Sequence, residues 1–401
     1  MSIKLSRRPI VHERFSGRPI GTGPATIALH MARQFRLSPC LLLLALPLLA
    51  SCQYESTAGV HDSPSRTQPP AATPRTLQGQ AVSCSPSSKN AARPVPALLT
   101  GDIRTLDPVM TREGMTYYVF STGDENGLND GTIQIRKSSD LADWQLVGTV
   151  FETTPAWIGD ALGSRPPNLW APDTCYFHGK YHLYYVGSRF GTNTSVIGLA
   201  TNVTLDLKSP NYKWVDEGMV IQSQPSDNWN AIDPSVTFDA NGVPWLAFGS
   251  FWDGIKMRRI DANTGKLATE DTTLYGLASR GGGAIEAPAI TYHDGYYYLF
   301  VSFDFCCRGV QSTYKIMVGR ARSITGPYAD REGKQMSLGG SSLIVAGDDR
   351  YAGAGGESVF LDGGAARLVY HAYDKLLNGM PQLQIREVTW SSDGWPAVRQ
   401  P

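Results

Sequence analysis

From about Ala97 onward the chain alternates apolar and polar positions with a period of two, the pattern of strands buried on a sheet face. The most apolar runs are TYYVFST, KYHLYYVGS, VPWLAFGS, YYYLFVSF and RLVYHAYD. Between runs lie turns such as YFHGKYH, FDANGVPW, YHDGYYY and FLDGGAARL, whose glycines supply the positive φ that a hairpin needs. Short links and no alternation of strand with helix predict hairpins in series and argue against Rossmann or barrel layouts. Four of the runs follow an acid beside a proline: Asp107 in LDPVM, Asp173 in APD, Asp233 in AIDPSV and Glu286 in IEAPAI. A fifth copy, GGESVF ahead of RLVYHAYD, keeps the strands and lacks the proline. Copies roughly 50 to 70 residues apart suit one four-stranded blade each, with its own insertions, so the expected fold is all-β, a five-bladed β-propeller spanning residues 96–401.

Composition narrows the partner. Of 401 residues 42% are hydrophobic, ample for a large core. Lysine plus arginine equals aspartate plus glutamate at 36 each, so no summed field attracts phosphates and no nucleic-acid partner is expected. A neutral substrate fits this balance. Forty-one glycines and 26 prolines agree with a chain rich in turns.

The first 95 residues differ in kind. Met31 to Cys52 has basic Arg33 and Arg36, a short apolar run, then Leu49-Ala50-Ser51-Cys52, the layout of an export signal too short for a comfortable membrane span. Its ending resembles a bacterial lipoprotein signal, which implies cleavage before Cys52 and acylation of that thiol. Residues 1–30 make a poor n-region, so Met31 is the expected start and 1–52 are read as upstream extension plus signal. Residues 53–95, rich in Ser, Thr, Pro, Ala and Gln, are expected to be a disordered tether. The mature protein is thus expected at the cell envelope or outside it, touching membrane only through lipid, and as a monomer. Export permits disulfides among Cys84, Cys175, Cys306 and Cys307; adjacent Cys306 and Cys307 suit either a small ring or two thiols. No CxxC pair argues for zinc.

The innermost strands of a propeller line a central channel, so acids at their entrances converge. A single Asp-Pro step merely shapes a turn. Asp107, Asp233 and Glu286 together need another reason, because like charges brought close must retain a proton or admit a cation. A raised carboxyl beside an ionised one is the arrangement that glycoside hydrolysis uses, one donating a proton and the other activating water. Trp170, Phe190, Trp229 and Trp252 are candidate platforms for the C–H face of a sugar, although aromatics fill blade interfaces as readily.

At these motifs, and at NLWAPDTCYFHGKYHLYYVGSRFG, NAIDPSVTFDANGVPWLAFGSFWDGI, IEAPAITYHDGYYYLFVSFDFCCRGVQSTYKIMVGRA and LVYHAYD, the sequence resembles glycoside hydrolase family 43 and, within it, the endo-acting α-1,5-L-arabinanases. The resemblance covers roughly residues 100–396. It implies a five-bladed propeller that hydrolyses arabinan with inversion, Asp107 as general base, Glu286 as general acid and Asp233 as the carboxylate that orients the acid and keeps its pKa high. Asp173, which follows its proline, is read as structural or substrate-orienting. Related exo-acting arabinofuranosidases or xylosidases share the same three acids, and a propeller that only binds glycans would dispense with them. The resemblance also implies a metal ion, usually calcium, at the channel centre, held by a histidine with waters completing the shell; here Gly356 stands where many relatives carry that histidine, which leaves either His371 in the next strand as the ligand or waters alone to hold the ion.

Overall fold

The computed structural model describes Cys84 and residues 92–399, all within one compact unit, Pro74–Pro401. The expected export signal, Cys52 and most of the expected tether lie outside the described residues. Five sheets follow one another along the chain, antiparallel except for the short β1, which pairs with β5 in parallel. Blade 1 holds β1 (Thr100–Gly101), β2 (Val109–Glu113), β3 (Thr116–Ser121), β4 (Gln134–Ser138) and β5 (Asp143–Thr149). A short helix, α1 (Ala156–Leu162), leads to blade 2: β6 (Trp170–Phe177), β7 (Lys180–Ser188), β8 (Ser195–Asn202) and β9 (Val215–Ser223). Blade 3 is β10 (Ser235–Phe238), β11 (Pro244–Phe248), β12 (Ile255–Arg259) and β13 (Tyr275–Ala278). Blade 4 is β14 (Ile285–His293), β15 (Tyr296–Phe303), β16 (Lys315–Ala321) and β17 (Ser342–Val345). Blade 5 is β18 (Tyr351–Asp362), β19 (Ala365–Asp374), β20 (Met380–Trp390) and β21 (Pro396–Val398). This is the five-bladed propeller that the repeat predicts.

The alternating aromatics explain why the blades adhere. Side chains on successive residues point to opposite faces, so each sheet presents an apolar face to both neighbours. Phe120, Ile135 and Val109 of blade 1 meet Leu183, Tyr185 and Val196 of blade 2, and Met257 and Leu277 of blade 3 meet Leu299 and Val301 of blade 4. Each fully buried side chain of this size contributes about 1.5–3 kcal/mol. The ring closes where Met110, Val119 and Trp144 of blade 1 pack on Phe360, Val369 and Leu383 of blade 5, with Leu383 N–H donating to Ile103 C=O at 2.7 Å across the seam.

Upstream of residue 96 the chain already touches the propeller. Val95 packs into the closing seam, the Arg93 carbonyl accepts from Arg367, and Cys84 forms a disulfide with Cys175 of β6. Cys306 and Cys307 are also disulfide-linked, so the adjacent cysteines form the ring. No helix among the described residues is long and apolar enough to cross a membrane.

Candidate active site

The inner strands β2, β6, β10, β14 and β18 surround a cavity of about 170 Å³ lined by Asp107, Asp173, Asp233, Pro288, Gly356 and Glu357, among others. Where each strand enters the channel the backbone makes the same unusual turn. Asp107 has φ 49°, Ala171 36°, Asp233 54°, Ala287 53° and Gly356 61°. L-residues avoid this left-handed region at a cost of roughly 1–2 kcal/mol each, and Asp tolerates it better than most. Proline occupies the next position in the first four blades; in the fifth that position is Glu357. The turn breaks the ladder register between Trp170 and Asp173, between Glu286 and Ala289, and between Gly355 and Ser358. Such bulges re-aim side chains.

Alignment on this turn shows that the acids beside the prolines, although they enter the channel together, do not occupy equivalent positions. Asp107 and Asp233 occupy the turn residue itself, whereas Glu286 lies one residue earlier and Glu357 one later. The offset gives each carboxyl a different environment. Asp107 Oδ2 accepts from Thr122 Oγ1 at 2.6 Å, and its side chain is 29% exposed. Asp233 Oδ2 accepts from Ala287 N–H at 3.0 Å. Loss of bulk solvation, then the charge of Asp107, push its pKa up to about 8. Glu286 Oε1 accepts from the buried Tyr314 hydroxyl. Desolvation, then the charges of Asp233, Asp107 and Glu357, hold its pKa well above the usual carboxylate range. Asp173 is buried and its Oδ2 accepts from Val236 N–H at 2.6 Å, tying blade 2 to blade 3. Burial raises it to about 7.

His371 is fully buried and occupied on both ring nitrogens. Nδ1 accepts from Asp107 N–H at 3.1 Å and Nε2 lies 3.2 Å from the Tyr373 hydroxyl, which in turn accepts from Cys307 N–H at 2.8 Å. Burial lowers its pKa and Asp107 opposes the shift, so the ring is neutral and braces the turn that carries Asp107. A Cβ on Gly356 would lie 2.5 Å from Asp107 Oδ1 and 2.8 Å from His371 Nδ1; His371 has taken the space a side chain there would need. Among the described residues no three His, Cys, Asp or Glu side chains are arranged to share a metal ion. The donors present do not fit the histidine-held calcium that the resemblance implies, and His371 is a brace in place of a ligand.

The aromatic candidates divide. Trp170 immediately precedes the turn residue of blade 2, its Nε1 donates to Asn168 Oδ1 at 2.8 Å, and Phe190 stands edge-on to it with centroids 6.2 Å apart. Phe190 is 79% exposed, so its ring is open to contact from solvent. Trp252 is half-buried, beside Phe251, whose N–H bonds Ile285 C=O next to Glu286 at 2.8 Å. Trp229 packs against Phe248 at 5.6 Å and belongs to the blade 2 and blade 3 interface. Sequence reasoning passed over Glu357, Tyr314 and Thr122. Only Glu357 left a signal, as the residue replacing proline in the fifth copy.

A propeller with carboxyls gathered where its inner strands enter the channel is an arrangement that glycoside hydrolysis can use. The chain belongs to Glycosyl hydrolases family 43, whose model matches residues 100–396. It is 48% identical over 295 residues to the extracellular endo-alpha-(1->5)-L-arabinanase 1 of Bacillus subtilis, covering 73% of this chain and 86% of that protein. It is 41% identical over 303 residues to an extracellular exo-alpha-(1->5)-L-arabinofuranosidase of Cellvibrio japonicus, covering 73% and 85%. The solved structure of Cellvibrio cellulosa alpha-L-arabinanase complexed with arabinohexaose superposes with TM-score 0.70 at 40% identity, over 74% of this chain and 96% of that one.

Proposed function

We propose that this enzyme is an exported hydrolase that cuts internal α-1,5-L-arabinofuranosidic bonds of arabinan with inversion. The observation that carries the reading is the unequal environment of the acids. Glu286, buried against Tyr314 and surrounded by other carboxyls, keeps a proton to give to the leaving oxygen. Asp107, more open and held by Thr122 and the His371 brace, orients the attacking water as base. Asp233, held by Ala287 N–H next to the acid, orients Glu286 and sustains its raised pKa. Inversion asks that base and acid stand about 6.5 to 9.5 Å apart, leaving room for that water. Trp170 and Phe190 form an apolar wall onto which the C–H face of a furanose can stack. No step requires a metal.

The arabinan substrate and export find support in the extracellular arabinan-acting names of the relatives; lipid anchoring at Cys52 rests on the sequence signal alone. Exo action is the second reading, favoured by the 41% identical exo-acting relative. The test is incubation of the purified protein with debranched α-1,5-arabinan, with product length and anomer followed by chromatography and proton NMR. Early oligosaccharides of β configuration are expected. Arabinose alone from the start would establish the exo reading, and α products would overturn inversion.

A further inference from the structure

The acids assigned above leave one carboxyl unused. Glu357 follows the turn residue of blade 5, lines the same cavity as Asp107 and Asp233, and is 6% exposed. Its Oε2 accepts from Ser302 Oγ at 2.5 Å, and Ser302 Oγ accepts in turn from Gly356 N–H at 2.9 Å. Ser302 lies directly across the β14–β15 ladder from Glu286, so one hydroxyl separates the two glutamates. The other oxygen, Oε1, is buried without any hydrogen-bond partner.

An ionised carboxylate would not tolerate that position. Burying a charge with an unpaired oxygen costs several kcal/mol, and the strongest charges acting on Glu357 are those of two further acids, Asp233 and Asp107. The charges acting on it are those of Asp107 and Asp233 at the entrances to β2 and β10 and of Glu286 on β14, with Ser302 on β15 as its hydrogen-bond donor and His371 of β19 against the neighbouring Gly356. Neutral His371 supplies no counter-charge. Either a proton or a cation must balance this carboxyl, and the surrounding donors do not assemble a metal site.

We propose that Glu357 is a fourth carboxyl of the active centre, a positioning residue that carries a proton in the working enzyme and governs the charge that Glu286 experiences. The inference rests on Glu286 being the acid. Burial as the largest cause, with Asp233 and Asp107 adding to it, puts the Glu357 pKa at about 8, in accord with the geometry. The proton sits on Oε1, and Oε2 keeps its bond from Ser302. Above that pH the new charge lies beside Glu286 and makes its proton harder to remove.

Two measurements test this on the intact protein. In the first, glutamate carboxyl carbons are labelled with ¹³C and the Glu357 signal is assigned by its loss in Glu357→Gln. A neutral carboxyl at pH 6.5 that titrates near pH 8 is expected; a carboxylate signal at pH 6.5, or one altered by calcium or EDTA, overturns the proposal in favour of a cation. In the second, Glu357→Gln, a neutral isostere, is expected to move the alkaline limb of the pH profile down by about half a unit or more, read relative to the variant's own maximum. An unmoved limb would make Glu357 structural only and would overturn its influence on Glu286. The carbon titration does not depend on turnover, so absence of arabinan cleavage in the unmodified enzyme would sink the functional reading while leaving the proton on Glu357 to be judged separately.

Discussion

Strand β18 carries two buried acids five positions apart in sequence, Glu357 and Asp362, and the molecule treats them in opposite ways. Asp362 lies 2.7 Å from Arg112 and 2.8 Å from Arg367, and the Tyr117 hydroxyl donates to it at 3.1 Å. All three charged side chains are at most 6% exposed. Glu357 receives one serine hydroxyl and the repulsion of neighbouring acids. A buried acid matched by cations binds elements together, here β2 of blade 1 to β18 and β19 of blade 5. A buried acid left unmatched holds its proton into the neutral range, which is the property that acid catalysis requires. Burial alone does not distinguish seam from site; the presence of a counter-ion does.

The largest effects should fall on the unmatched acids. Asp107→Asn, Asp233→Asn and Glu286→Gln are each expected to lower kcat by about 10²- to 10⁴-fold, with circular dichroism and melting temperature almost unchanged. Asparagine is preferable to alanine at the first two positions because it accepts the left-handed turn recorded there. Near-normal kcat in any variant would remove that residue from the mechanism. The matched acid should respond the other way. Arg367→Met leaves Asp362 with half its counter-charge and is expected to cost about 3–5 kcal/mol of stability, read from urea denaturation, while kcat per folded molecule stays within twofold or so of the parent. A loss of kcat without a loss of stability would erase the distinction between the two regions.

How far the sequence announced these regions follows from the physics of each. The hairpins, the five blades and the aromatic seams were legible because period-two patterning and turn glycines act locally. Asp107 and Asp233 were legible because an acid before proline repeats. Glu357 was not, because its importance comes from taking proline's place after a glycine turn, and the position is defined only by the left-handed residue before it. Tyr314 reaches Glu286 from the entrance to another strand of blade 4. No spacing rule connects residues that meet only when a blade folds. His371 was visible as a histidine, but its role depended on where its two nitrogens pointed. The Cys84 and Cys175 pairing was hidden for the same reason: the partners are 91 residues apart in sequence.

A smaller effect concerns pH. Folding raises Asp173 to about 7 and Asp233 and Glu357 to about 8, each above its ordinary value near 4. The unfolded chain then releases protons that the folded chain keeps. Stability is therefore fully present below about pH 4 as far as these groups are concerned, is lost progressively as pH rises from there, and the loss is complete once pH has passed 7 for Asp173 and 8 for the other two. The expected loss between pH 6 and pH 9 is on the order of 6 kcal/mol for three independent groups, measured by denaturant melts at constant ionic strength. Glu357→Gln and Asp173→Asn should each flatten the curve, whereas Arg367→Met should shift it down without changing its slope in this range. A curve of unchanged slope in Glu357→Gln would mean that the unmatched carboxyl is ionised in the folded protein after all.

The smallest expected effect comes from Phe190, which belongs to neither acid cluster and so provides a baseline for both. Its ring is 79% exposed and meets Trp170 edge-on, so Phe190→Ala removes little buried area and no charge; stability and the pH profile should stay as they are. If the ring supports a sugar unit away from the bond being cut, it binds ground state and transition state alike. Its loss then raises KM for arabinan by about fivefold, corresponding to roughly 1 kcal/mol, and leaves kcat alone. Trp229, packed on Phe248 in a blade interface, supplies the contrast: Trp229→Ala should lower the melting temperature before it changes KM. A fall in kcat for Phe190→Ala would instead place this ring close to the acids, where sugar stacking and proton transfer are coupled, and the distinction between platform and catalytic centre would have to be redrawn.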